Sequence, residues 1–273
     1  MSTPQGERIL TPIIDLVRER PNEDRREQFE RLWGILDGMH QRIVSSFALQ
    51  RDPCCDDLVD YQLEGGLRGS TEVYSGPEID WYVHSWCGHP EQTFSNMHIT
   101  ITLGPQCLVP NFGFALGTIP DLFMYMDYIP RVDLVADIDY VDRYYGEVNE
   151  EFLELQAHEA FKPFISRDLY TRVAMTPTAV AYGAEPVEAN IALAEQVALR
   201  RLDRWLAWVD AAEPTPLEAR AAIAERDHRV RINICERDPA NAVAENLYGK
   251  DMADRLVSTI SARSRTLPRP GGS

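Results

Sequence analysis

A change of hydrophobic period is the feature that most constrains this chain. Between residues 79 and 129 the side chains alternate with period two. Ile79, Trp81, Val83 and Ser85 alternate with Asp80, Tyr82, His84 and Trp86, and Met97, Ile99, Ile101 and Leu103 alternate with His98, Thr100 and Thr102. Residues 112–116 and 122–129 continue the series. Successive side chains of an extended chain point to opposite faces, so each segment reads as a strand with its two faces in different surroundings. Turn signals separate the segments: Gly88 to Pro90, Gly104-Pro105 and Gly117 to Pro120. Strands joined by connections this short dictate a mainly antiparallel sheet.

On either side of that region the period becomes helical. Ile9, Leu10, Ile13, Ile14 and Val17 form one amphipathic stripe, ended by Pro21, and Phe29, Leu32, Trp33, Leu36, Met39, Ile43, Val44 and Phe47 form a longer one. Residues 51–70, with Pro53, Asp56, Asp57, Gly65, Gly66 and Gly69, read as a loop. Residues 137–160 are helical and acidic with a break near Gly146, and residues 166–183 read as a return to strand with a bend at Pro177. A long helix over 186–211 carries Ile191, Ala194, Val197, Leu202, Trp205 and Trp208. Pro214 and Pro216 end it, and helices over 216–233 and 240–262 follow. Strands in series flanked by helices in series specify an α+β fold, a central antiparallel sheet with helices packed on it. The expected organisation is a single domain over 1–265. It has N-terminal helices at 7–50, a sheet region at 70–183, C-terminal helices at 186–262 and a disordered tail at 266–273.

Charge narrows the function. The chain of 273 residues carries 43 acidic against 27 basic side chains, a formal charge of −16. That excludes general nucleic-acid coating and disfavours an anionic membrane. No apolar run approaches the roughly 18 residues of a membrane span, and the charged first 50 residues lack a signal-peptide core. Five cysteines, an odd number, point to a reducing, cytoplasmic setting. A homodimer is left open. Phosphate loops, dinucleotide fingerprints, nucleophile elbows and H-E-x-x-H helices are absent from the sequence.

The candidate chemistry lies on the strands and at one helix corner. His84, Cys87, His89 and His98 are close in sequence, but His84 and Cys87 should face opposite ways on a strand, so no metal site is expected. The Cys54-Cys55 pair matches no common redox motif. His84 and His98 titrate near neutrality when unperturbed and are candidate proton donors. Asn111 suits a substrate carbonyl or its own turn, and Arg172 suits a carboxylate. Trp81, Tyr82 and Trp86 suit either a flat conjugated ligand or the core. Asp238 precedes Pro239, the signature of a helix N-cap, and is also a candidate proton-relay acid, with Glu236 beside it. Arg200, Arg201, Arg204, Arg220, Arg226, Arg229 and Arg231 make the last third locally basic, a surface for substrate carboxylates or an acidic partner. The acids between 121 and 159 read as a solvated helical face.

An ordered set of short stretches resembles the red chlorophyll catabolite reductase family, distant members of the ferredoxin-dependent bilin reductases. The stretches are Ile79-Asp80-Trp81 through Ser85-Trp86; Val109-Pro110-Asn111-Phe112; Asp127 through Pro130-Arg131, Asp133-Leu134-Val135, Asp139-Tyr140 and Tyr144-Tyr145; Leu169, Arg172, Ala174 and Pro177-Thr178-Ala179; and Arg226-Asp227, Glu236, Asp238 and Gly249. The resemblance implies an α/β/α sandwich with helices on both faces of the sheet and a substrate pocket between sheet and C-terminal helices. It implies electrons from external ferredoxin, protons from nearby acids, and no bound flavin, metal or nicotinamide. The family's late aspartate falls on Asp238. Ala115 stands where the plant enzymes carry a glutamate. The expected function is therefore reduction of a double bond in a linear tetrapyrrole or another conjugated small molecule. The alternatives are a redox-neutral or cofactor-free oxidative step in specialised metabolism, or a non-catalytic pigment binder.

Overall fold

The computed structural model describes residues 23–63, 66–89, 91–119 and 121–269; the stripe at 7–19 lies outside them. Helix α1 (Arg26–Ser46) buries Leu32, Ile35, Leu36, Met39 and Ile43, the three-and-four spacing of one helical face. The sheet then builds in chain order: β1 (Gln50–Arg51), a 3-10 turn (Pro53–Leu58), β2 (Tyr61–Gln62), β3 (Arg68–Ser75), β4 (Ile79–Gly88), β5 (Ser95–Leu103), β6 (Asn111–Thr118) and β7 (Leu122–Ile129). After it come α2 (Ile138–Tyr144), α3 (Gly146–Ala157), β8 (Lys162–Pro163), α4 (Leu169–Ala174) and β9 (Val180–Ala184). The chain closes with α5 (Glu188–Asp210), α6 (Leu217–Arg237), α7 (Ala240–Tyr248) and α8 (Lys250–Ile260). Among the described residues the strands form one nine-stranded sheet, ordered β1-β3-β4-β5-β6-β7-β9-β8 with β2 beside β3. Every pairing is antiparallel.

Register assigns the two faces. Glu72, His84, Ile99, Phe114, Met126 and Val180 stand side by side on one face. There Ile99, Phe114, Met126 and Val180 join the large core with α1 and α5. Thr71, Ser85, His98, Ala115, Tyr125 and Ala181 stand side by side on the other. On that face Val83 and Trp81 share a smaller core with Leu58 of the 3-10 turn and Leu256 of α8. Trp81 Nε1 donates to the Thr259 carbonyl at 3.1 Å, and Arg231 of α6 pairs with Asp80 at 2.8 Å. Helices therefore cover both faces, the α/β/α sandwich of an α+β fold.

Four expectations change. The loop expected over 51–70 holds β1, the 3-10 turn, β2 and the start of β3, because two-residue strands are too short to display a period. The strand expected over 166–183 begins only at Val180; before it lies α4, started by Asp168, whose side chain accepts from the Thr171 amide. The helix expected over 240–262 breaks at Gly249, whose φ of +77° is open to glycine at little cost. The tail expected to be disordered from 266 is tied at its start, since the Thr266 and Leu267 amides donate to buried Asp52.

Most of the C-terminal arginines hold the fold together. Arg201, fully buried, pairs with Glu151 of α3, which Arg200 and Arg204 also reach. Arg226 donates to the Pro130 carbonyl and contacts Asp227, itself paired at 2.7 Å with buried Arg131. Arg220 donates to the Thr215 carbonyl, and Arg229 pairs with Glu225. The basic patch expected there for an acidic partner is thus largely consumed by internal carboxylates and carbonyls. Glu151 and Asp127, both buried, depart from the solvated acidic face expected over 121–159.

Candidate functional site

The second face of the sheet is covered unevenly. The 3-10 turn and α8 seal it over β3 and β4, whereas His98, Thr100, Ala115, Tyr125 and Ala181 keep partial access to solvent. This half-exposed stretch of sheet is the candidate site. Its floor is made by cross-strand register: His98 of β5 lies opposite Ala115 of β6, and Ala115 opposite Tyr125 of β7. Small residues keep it low. A Cβ built at Gly113 would approach Ile129 no nearer than 3.4 Å and Tyr125 no nearer than 3.7 Å.

Asp238 stands at the corner between α6 and α7. Its Oδ1 accepts the Ala240 amide at 2.8 Å, so the cap read from Asp238-Pro239 is formed. The side chain is reached by water yet surrounded by protein. That surrounding desolvates the carboxyl and, with Asp168 nearby, raises it above the usual carboxylate range against the Ala240 hydrogen bond. Asp238 also acts on Tyr125, whose phenol is pushed far up by burial first and Asp127 next. The fold thus sets His98 and Tyr125 on one half-exposed sheet face, with Asp238 near enough to act on Tyr125. His98 is pushed down to about 4, by burial and then by His84 through the sheet, so at neutral pH it is a neutral imidazole and not the near-neutral titrating donor expected.

Asp127 is a functional candidate that the residue reading left unassigned. It is fully buried and accepts from the Thr176 amide at 2.9 Å and from the Thr176 hydroxyl, while Tyr125 Oη lies 3.5 Å from it. Burial raises its carboxyl above the ordinary value, against those hydrogen bonds and Arg201. A signal was present: Asp127 is the one charged residue in the apolar strand LFMYMDYI.

Other expected residues are placed elsewhere. His84 points to the opposite face, stacked on His40 at 4.2 Å and 13°, with Nδ1 4.0 Å from Glu72; the period of two separates it from His98 and Asp238. Trp86 lies on that same far face against Phe29 and Trp33. Trp81 is core, covered by α8 and by the Arg265 guanidinium 4.8 Å from its ring. Tyr82 is core as well, its hydroxyl 2.7 Å from His40 Nδ1. Asn111 is buried at the start of β6, and its Oδ1 accepts the Leu103 amide at 2.8 Å, so it fixes its own β5–β6 connection instead of a substrate carbonyl. Glu236 pairs with Arg263 and opens onto a separate groove of about 330 Å³ shared with Asn241 and Ser258.

Arg172 sits on α4, not on a strand. It lines a pocket of about 350 Å³ with Phe164, Met175 and Thr176, next to the threonine that holds Asp127. Its Nη1 donates to the Ser166 carbonyl at 2.7 Å, and among the described residues no carboxylate neutralises it. A charged guanidinium in that state can still take a carboxylate. No group of three or more metal-ligating side chains converges among the described residues, and all five cysteines are unpaired. No helix among them is long and apolar enough to cross a membrane.

Comparison with known proteins shows the family and the fold. The chain is 24% identical over 197 residues to red chlorophyll catabolite reductase of Hordeum vulgare, covering 67% of this chain and 96% of the barley protein. It is 24% identical over 225 residues to the chloroplastic red chlorophyll catabolite reductase 1 of Oryza sativa subsp. japonica, covering 75% of this chain and 68% of the rice protein. The rice protein's location gives the expected cytoplasmic setting no support. The fold matches the crystal structure of phytochromobilin synthase from tomato in complex with biliverdin, with TM-score 0.70, 13% identity, and 87% and 85% of the two chains covered. A family model for red chlorophyll catabolite reductase matches residues 57–262, which span β2 to β9 and the helices α2 to α8; the chain belongs to the red chlorophyll catabolite reductase family.

Proposed function

We propose that this protein reduces a conjugated double bond of a linear tetrapyrrole held flat against the half-exposed sheet face. The reading is supported by the family together with one half-exposed sheet face, where register sets His98, Ala115 and Tyr125 side by side and the accessible Asp238 carboxyl acts on Tyr125 from the α6–α7 corner. Reducing one double bond consumes two electrons and two protons. Asp238, whose carboxyl desolvation holds above the usual carboxylate range, supplies one proton, and water at the half-exposed face supplies the other. The neutral His98 and Tyr125 offer hydrogen bonds to the ring system. Arg172 holds a substrate carboxylate at the adjoining pocket.

The electrons come from an external ferredoxin, one at a time, and the protein itself binds no flavin, metal or nicotinamide. Unpaired cysteines support a reducing compartment. The test is anaerobic incubation with biliverdin, with and without reduced ferredoxin, followed by absorbance spectroscopy. Bleaching or a blue shift that needs ferredoxin is the expected result. A spectral change that needs no reductant would replace the reading with redox-neutral chemistry or simple pigment binding. No change in either tube would overturn the tetrapyrrole assignment.

A further inference from the structure

At the half-exposed edge of the smaller core, two phenols converge on a thiol. Tyr61 of β2 pairs with Gly69 of β3, and Gly69 pairs with Cys87 of β4. The Tyr61 ring folds over Gly69 so closely that a Cβ there would lie 2.4 Å from its hydroxyl. Glycine is therefore what lets that hydroxyl reach the sheet beside Cys87. Tyr248, the last residue of α7, brings its own hydroxyl to Cys87 from the helical layer.

Neither hydroxyl has a hydrogen-bond partner of normal geometry among the described residues, although both oxygens are buried and Tyr61 is only 8% exposed. Such groups are rare in folded proteins, and each calls for an explanation. The groups acting electrostatically on Tyr61, Cys87 and Tyr248 are one another, with no charged side chain among them. All three remain protonated at neutral pH, so the cluster offers donors and lacks a good acceptor. A carboxylate would be buried there without a cation, which is costly. A neutral carbonyl oxygen accepts two hydrogen bonds and brings no charge.

We propose that Tyr61 and Tyr248, backed by Cys87, form a hydrogen-bonding subsite for a neutral carbonyl oxygen at one end of the substrate, of the lactam type. The inference rests on the tetrapyrrole reading and sharpens it. Helix α7 has nine residues, and at ~1.5 Å per residue it carries the chain about 13 Å from the Asp238 corner to Tyr248. The subsite and the proton donor thus hold opposite ends of an elongated ligand, and a linear tetrapyrrole ends in lactam rings. Specificity follows: a site built to donate to a carbonyl discriminates against analogues that lack it, because its hydroxyls are then left unpaired.

The test uses the full chain and its Tyr61→Phe, Tyr248→Phe and double variants. Biliverdin affinity is measured by absorbance titration, and the bound lactam C=O stretch by infrared difference spectroscopy. In the wild type a lactam band moves to lower frequency on binding. In the double variant that shift disappears and Kd weakens roughly tenfold. The ligand-free variants melt at or above the wild-type Tm, since the lost hydroxyls had no partner. Wild-type affinity and an unchanged lactam band in the double variant overturn the subsite while leaving the tetrapyrrole reading in place. So does a fall in Tm of more than about 5 °C, which would show hydroxyls already bonded within the free protein. A wild-type chain that fails to bind biliverdin overturns both.

Discussion

At the α6–α7 corner the Asp238 carboxylate caps a helix and carries the proton assigned to the reaction, and the two roles separate by substitution. Asparagine caps as well as aspartate but holds no transferable proton. Asp238→Asn should lower turnover by about 100-fold or more with Tm nearly unchanged. Asp238→Ala should lose turnover and also lower Tm by a few degrees, as loss of a cap costs ~1 kcal/mol. The raised carboxyl also sets a pH dependence. The wild-type rate should fall as pH rises through an apparent pKa above the ordinary carboxylate value, and that limb should be absent from whatever activity Asp238→Asn retains. A wild-type alkaline limb persisting unchanged in the variant would assign the proton to another group. Asp127 was as visible in the sequence as Asp238, but its meaning was not. The period of two already puts Asp127 on the face of Tyr125, but only the tertiary structure shows that Thr176 is there to hold it.

Elements differ in what they contribute. Helix α5 is bound to α3 by a buried charge network centred on Glu151, 5% exposed, and Arg201, 0% exposed. Removing one partner strands the other in a low-dielectric interior. Glu151→Ala should therefore cost about 3–5 kcal/mol of unfolding free energy in a denaturant titration, whereas Glu147→Ala, at an exposed pair with Arg204, should cost under about 1 kcal/mol. Equal effects would refute the buried network. Helix α4 is the opposite case: none of its residues is buried, and Leu169 and Val173 are 68% and 71% exposed. Its position rests on the Asp168 cap and the Thr176 anchor to Asp127, which is why hydrophobic period misread it as a strand.

For the whole molecule, acidity and burial set the response to salt and pH. With the C-terminal arginines engaged internally, a chain of charge −16 repels an acidic ferredoxin. The ferredoxin-dependent rate should rise as ionic strength increases from about 10 to 150 mM, where the Debye length shortens from roughly 30 to 8 Å. A steep fall with salt would show a local basic docking patch instead. Stability should fall in mild acid. His40 and His98 are both depressed to about 4 by burial, from an ordinary 6.5. The unfolded chain then binds more protons between those values, so their contribution is complete above about 6.5 and is lost as pH drops toward 4. The raised carboxyls of Asp127, Asp227 and Asp238 work in the other direction, losing stability as pH rises above their ordinary value. Thermal melts from pH 7 to 4 should show a falling Tm, and His98→Gln should flatten that fall. A flat profile in the wild type would contradict two half-buried imidazoles held neutral.

Local periodicity by itself determined the α+β class, the positions of β4 to β7, the helices α1, α5 and α6, and the cap at Asp238. These depend on spacing along the chain, which the sequence displays directly. It also determined that His84 and Cys87 face opposite ways. Tertiary structure alone decided which face stayed half-exposed. Trp81 and Trp86 carry the same aromatic chemistry on opposite sides of one strand, and neither lines the site, because α8 covers one and α1 the other. It also decided that Asn111 serves its own connection and that the arginine cluster is spent on Glu151 and Asp227. A side chain's role depends on what the fold places opposite it, and those partners are up to 215 residues away, as Leu267 is from Asp52. Local propensity carries no record of such pairings; packing two helical layers on one twisted sheet creates them.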